Sequence, residues 1–117
     1  MKDISKDLIA ASLASMVLMI LARKESYGYD IIQQLKLSSG GELAIAEGTL
    51  YPVLKKMEEK EWISATWKTA ENGRNRRYYS ISTAGKKQLK EQVSQWNFVH
   101  QLIQQLCTPK TSALKPL

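Results

Sequence analysis

The chain has 117 residues, 44% of them hydrophobic and 24% charged; this length suits one domain with one core, and the composition excludes a wholly disordered chain or a fibrous repeat. The net charge of +6 is not spread evenly: residues 55–90 hold ten Lys/Arg against four Asp/Glu, and the remainder holds seven of each. Such a concentrated basic surplus is the electrostatic footprint of a phosphate-backbone partner, although a solvated basic face with no partner carries the same signature. Cys107 is the only cysteine, which excludes an internal disulfide and fits a reducing cytoplasm.

Near the start, "SKDLIAASLASMVLMILARK" offers Ser5 or Asp7 as a helix cap, followed by Leu8, Ile9, Leu13, Met16, Val17, Ile20 and Leu21 at helical spacing. Leu18 and Met19 make its later half apolar nearly all round, so that half needs cover on more than one side. The apolar run is shorter than the roughly 20 residues a bilayer requires. Asp3 and Asp7 also spoil the basic start of a signal peptide, so the expectation is a buried helix in a soluble, cytoplasmic protein without a membrane partner.

After "ESYG", the residues Ile31, Ile32 and Leu35 mark a second, shorter helix that stops at Ser-Ser-Gly-Gly. The third helix, "EGTLYPVLKKMEEKEW", carries Leu50, Val53, Leu54 and Met57 on one arc, with Gly48, Tyr51, Pro52, Lys55, Lys56 and Glu59 opposite. Pro52 has no N–H to give to a helix interior, which predicts a start near Gly48 or Thr49. A helix start with orphan N–H groups beside a glycine favours an anion such as a phosphate. Tyr51 and Lys55, one turn apart, extend that face toward a major groove.

"WISATWK" suits a strand, Asn72-Gly73 signals a hairpin, and "RRYYSIS" returns. Arg74, Arg76 and Arg77 crowd the tip, where a two-stranded ribbon can lie along phosphates or enter a minor groove. Strand alternation sets Arg74 and Arg76 on one side and leaves Arg77 free to pair internally. Thr83 then caps a long fourth helix, and "TPKTSALKPL" has two prolines and no pattern. The expected fold is mainly α (α+β): a winged helix-turn-helix with a two-stranded wing over residues 1–82, a C-terminal dimerisation helix over 83–108, and a flexible tail over 109–117.

Three motifs, "SYGYDIIQQL", "EGTLYPVLKKMEEKEWI" and "GRNRRYYSISTAGKKQL", together spanning residues 26–89, resemble the PadR-like family of bacterial transcription regulators. The resemblance implies a dimeric repressor that binds an inverted-repeat operator in double-stranded DNA. It implies DNA contacts from Gly48, Thr49, Tyr51, Lys55 and Lys56, flanking contacts from Tyr27 and Tyr29, and backbone contacts from Arg74, Arg76 and Arg77. The chain has room for only one helix after the wing, as in the small subgroup that includes the multidrug-binding repressor LmrR. In that subgroup a tryptophan of the last helix stacks on flat aromatic drugs at the dimer interface, and Trp96 stands at the matching point.

Read on its own, the last helix repeats Leu89, Gln92, Trp96, Val99, Ile103 and Leu106 at steps of three and four, a heptad-like seam that calls for a second copy of the chain. Trp96 is either a packing anchor of that seam or the platform of an effector cavity, with Leu8, Ser12, Ser15, Val93, Val99 and His100 around it. His100 has no second His or Cys at ligand spacing, so no metal is expected, and nothing calls for a cofactor. Paired carboxylates, a phosphate loop and an activated nucleophile are missing, so no enzyme is expected. The competing reading is a basic helical module that binds a protein partner without specific DNA binding.

Overall fold

The computed structural model describes residues 4–109, so residues 110–117 of the expected tail lie outside the described residues. The elements in order are α1 (Lys6–Arg23), β1 (Ser26–Tyr27), α2 (Gly28–Ser38), α3 (Glu47–Glu59), β2 (Ile63–Thr69), β3 (Asn75–Ile81) and α4 (Thr83–Cys107). Ser5 rather than Asp7 caps α1, its hydroxyl accepting the Leu8 N–H at 3.1 Å. Leu13, Val17, Leu18 and Leu21 of α1 are buried against Ile31 and Leu35 of α2 and against Leu50, Leu54 and Met57 of α3. Val17, Leu18, Ile20 and Leu21 are all buried, so the later half of α1 is covered on more than one side by its own chain, with Met19 38% and Leu8 53% exposed. No helix among the described residues is long and apolar enough to cross a membrane.

The sheet is three-stranded and antiparallel in the order β1-β3-β2, where the sequence predicts two strands. The added strand is only Ser26–Tyr27, paired as Ser26↔Tyr79 and Tyr27↔Tyr78. Two residues carry no alternation to detect, and long-range pairing alone creates the strand. The β2–β3 turn is closed by Ala70 and Arg74, with Gly73 at φ +82° and the Asn72 side chain accepting the Arg74 N–H at 3.1 Å.

Helix α3 begins one residue earlier than expected, at Glu47, so Pro52 sits inside it. The first turn is tied down without Pro52, because the Thr49 and Leu50 N–H groups both donate to the Ala46 carbonyl at 3.0 and 3.1 Å. The hydrogen bond Pro52 cannot make would have ended on the Gly48 carbonyl. Gly48 is solvent-exposed, and water can satisfy that oxygen.

The end of α3, the start of β2 and the start of α4 meet at one carbonyl. The Ser82 N–H donates to the Trp62 oxygen at 2.9 Å, and the Ser82 hydroxyl lies 2.6 Å from the Glu61 oxygen and 2.9 Å from that of Trp62. Ser82, and not Thr83 as read from sequence, also caps α4, because it is the Ser82 hydroxyl that accepts the Gly85 N–H, at 2.9 Å. Gly85 packs so closely that a Cβ there would lie 2.0 Å from the Trp62 oxygen. Backbone meets backbone at this corner, and neither side can swing away. Gly85→Ala is therefore expected to cost about 3 kcal/mol of folding stability; urea unfolding that shows no loss would mean the corner is not rigid.

Candidate nucleic-acid interface

The outer face of α3 divides between two grooves. Lys55 and Lys56 are adjacent, so about 100° of helical turn separates them. Tyr51 and Lys55 face the wing with Glu58, Arg77 and Tyr79. Lys56 turns the other way and lines a groove toward α1 and α4. Of the residues assigned to DNA by sequence, Tyr27, Tyr29, Tyr51, Lys55, Arg74, Arg76 and Arg77 line the wing side, and Lys56 lines the other groove.

On that side an open cleft of about 450 Å³ runs between the starts of α2 and α3 and the wing. Tyr27, Gly28, Tyr29, Glu47, Tyr51 and Trp67 line it together with Arg74, Arg76 and Arg77. Gly48 and Thr49 are exposed on the first turn of α3. Aromatic rings, guanidinium groups and a helix start thus share one concave surface.

Each basic group of the wing is held differently. Arg76 lies over the Tyr27 ring, its guanidinium carbon 4.2 Å from the centroid, and Tyr27 meets the Tyr78 ring edge-on at 5.3 Å. Such stacking fixes a guanidinium while leaving its N–H fork free. Arg77 projects from the opposite face of β3 and donates to the Glu58 carboxylate of α3 at 2.7 Å. That hydrogen bond holds the Arg77 guanidinium still more firmly protonated, against a small opposing effect of burial. Arg77 therefore braces the wing against α3, the internal pairing that strand alternation allowed. Arg74 is exposed at the tip. Lys68 pairs with Glu25, whose carboxylate is held below its usual range chiefly by that hydrogen bond.

Tyr51 is 42% exposed, and burial, with the Glu47 carboxylate and Tyr79 adding to it, pushes its phenol above the ordinary tyrosine value. At neutral pH the hydroxyl thus remains a donor as well as an acceptor. A Cβ on Gly28 would lie 2.4 Å from the Tyr51 Oη, so the bare start of α2 is what lets the ring lie flat there. Sequence reasoning missed Trp67, 64% exposed and opposite Arg77, and also Glu47. The alternation of Ile63, Ala65 and Trp67 along β2 held the signal for Trp67, since Ile63 is buried on that face.

The family model of the PadR-like transcriptional regulators matches residues 17–91, the segment that contains α2, α3 and the wing. The chain belongs to the PadR-like family of transcriptional regulators. A protein of Lysinibacillus sphaericus described as uncharacterized is 35% identical over 100 residues, covering 86% of this chain and 92% of its own length. A PadR-like transcriptional regulator from Bacillus cereus superposes with a TM-score of 0.78 at 28% identity, covering 90% of this chain and all (100%) of its own. A transcriptional regulator from Clostridium thermocellum also gives 0.78 at 28% identity, over 86% and 95% of the two chains.

In this PadR-like protein a second, smaller groove of about 290 Å³ lies between α1 and α4, lined by Ala11, Ala14, Ser15, Gln92, Gln95, Trp96 and Val99. The Trp96 indole N–H donates to Ser15 Oγ at 2.9 Å, and the Ser15 hydroxyl donates to Gln92 Oε1 at 2.6 Å. Of the effector residues assigned by sequence, Ser15, Trp96 and Val99 come together here. Ser12 instead bonds to the Leu8 carbonyl of its own helix at 2.7 Å; Leu8, Val93 and His100 are absent from the lining. Among the residues of the expected seam, Leu89 packs on the core of its own chain and Gln92 is bound to Ser15.

Beyond Trp96 every residue to Cys107 is exposed. Phe98, Val99, Leu102, Ile103 and Leu106 are 42–74% exposed, two adjoining stripes rather than the single seam read from sequence. Gly28→Ala is expected to destabilise the protein by about 1 kcal/mol, and in a Tyr51→Ala background to stabilise it by a similar amount, as helix propensity then acts alone. Denaturant unfolding of the four proteins measures this coupling; equal effects in both backgrounds would show that Tyr51 does not rest on Gly28.

Proposed function

We propose that the protein is a cytoplasmic, homodimeric repressor that recognises an inverted repeat in double-stranded DNA. The observation that carries this reading is the cleft in which Tyr51, Tyr29 and the wing arginines converge beside the exposed first turn of α3. In this proposal the Gly48–Thr49 turn, Tyr51 and Lys55 meet the major groove, Arg74 and Arg76 follow the backbone or the minor groove, and Tyr27, Tyr29 and Arg77 hold the frame. The dimer is supported by the apolar stripes of α4: each such side chain gains about 1.5–3 kcal/mol on full burial, and no element among the described residues covers them. An antiparallel pairing of these helices, with α1 beside them, sets two reading helices about one DNA turn apart.

The groove at Trp96 supports a further part of the reading, in which a planar aromatic compound relieves repression by stacking on the indole, as the likeness to the LmrR subgroup implies. The groove is lined by no charged side chain, which suits a flat, weakly polar ring system.

The DNA reading is tested by retardation of inverted-repeat promoter fragments selected from the source genome. Tyr51→Ala and Arg76→Ala are each expected to weaken specific binding about tenfold at fixed salt, and Arg76→Ala also to flatten the salt dependence. Unchanged specific binding by both variants would remove this face from the interface. For the effector, planar dyes are expected to quench tryptophan fluorescence in the wild type and not in dimeric Trp96→Ala; quenching retained in that variant would leave Trp96 a packing residue only.

A further inference from the structure

Lys56, turned away from the wing, belongs to a groove that the DNA reading does not use. The groove holds about 340 Å³ between α1, α3 and α4, and its lining is Ala10, Ala14, Val53, Lys56, Met57, Lys60, Trp62 and Gln92. Its floor is aliphatic, because Ala10 and Ala14 leave space where larger side chains would fill it. Lys56 of the last turn of α3 and Lys60, the C-cap of that helix, both line the groove. No acidic side chain is in the lining, and neither lysine forms an ion pair among the described residues.

Gln92 supplies a third donor. Its Oε1 accepts the Ser15 hydroxyl at 2.6 Å, and Ser15 in turn accepts the Trp96 N–H at 2.9 Å, so the orientation of the amide is set from the α1 side. The Gln92 Nε2 group has no hydrogen bond among the described residues. Two ammonium groups and one carboxamide, all offering N–H, therefore border an apolar floor that offers no competing anion.

We propose that this groove binds an amphiphilic anion: an acyl chain on the floor, with a carboxylate held by Lys56, Lys60 and Gln92. An aliphatic body fits better than a flat aromatic one because the Trp62 ring face is already covered by the Lys60 ammonium, 4.6 Å from its centroid. The groove differs from its neighbour across Ala14 and Gln92, whose lining holds no cation. Lys56 lies on the same helix as Tyr51 and Lys60 is the C-cap of that helix, so a bound carboxylate would tie it to α4 through Gln92. The assignment stands whether or not the DNA reading holds.

The test is titration calorimetry of the full chain with sodium decanoate, below the concentration at which it forms micelles, against decyltrimethylammonium as the cationic control. Saturable decanoate binding is expected, with none of the cation. Lys56→Gln/Lys60→Gln is expected to weaken decanoate about tenfold and Ala10→Leu to abolish it, both with the oligomeric state and helix content of the wild type. Ala11→Leu, at a residue that lines only the Trp96 groove, is expected to retain it, which separates the two grooves. Equal binding of the cation, undiminished binding by the double lysine variant, or no saturable binding in the wild type would overturn the proposal. Dissociation of the oligomer by Ala10→Leu would overturn it as well, since the groove would then be the seat of a second copy.

Discussion

The geometry of the molecule hangs on the carbonyl of Trp62. Three chain directions are set there at once: α3 has just ended, β2 begins, and α4 returns to be capped by Ser82 with Gly85 pressed against the same oxygen. Glu61, immediately before it, adopts φ +62°, a left-handed conformation that a non-glycine residue occupies at a cost. That turn is held by the Glu61 N–H on the Glu58 oxygen at 2.9 Å and the Trp62 N–H on the Met57 oxygen at 3.0 Å. The strain is local, and what it fixes is distant: the angle between the helix that carries Tyr51 and the helix that carries Trp96.

That fixed angle turns two separate surfaces into parts of one device. The wing is braced to α3 by Arg77 and Glu58, which joins the arginine-bearing hairpin to the helix that carries Tyr51. Arg76 is meanwhile presented by the Tyr27–Tyr78 pair, which β1 makes available. On the other side α4 leaves the body of the protein with its last eleven helical residues uncovered, and the overall extent of 63 × 33 × 21 Å reflects that projection. A second copy seated on α4 would inherit, through the Trp62 corner, a defined distance between the two clefts.

Much of this was legible from sequence because it rests on periodicity and on residues with narrow conformational tastes. The apolar arc of Leu50, Leu54 and Met57, the Ser5 cap with its helix, and the Asn72-Gly73 turn all follow from local rules, whereas the cap of α4 is Ser82 and not Thr83. What was not legible depended on contacts between distant segments. Two residues of β1 have no pattern until Tyr78 and Tyr79 pair with them. The separation of Lys55 from Lys56 is a matter of which neighbour fills each side of α3, and the wheel alone treats both as one solvent face. Leu89 and Gln92 read as seam residues because their spacing is right, yet the core of the same chain and Ser15 claim them first. Pro52 sits one turn inside α3, where the one hydrogen bond it forfeits would end at Gly48, a solvent-exposed residue.

In the proposed function the cleft between α3 and the wing, and not the opposite side of α3, is the surface that meets DNA. A photoreactive benzoylphenylalanine placed at Tyr51 or at Lys60 in otherwise wild-type protein, irradiated on a selected inverted-repeat fragment, tests it most directly. The account predicts a protein–DNA crosslink from position 51, mapped symmetrically to both half-sites, and none from position 60. Crosslinking from position 60 with none from position 51 would contradict it.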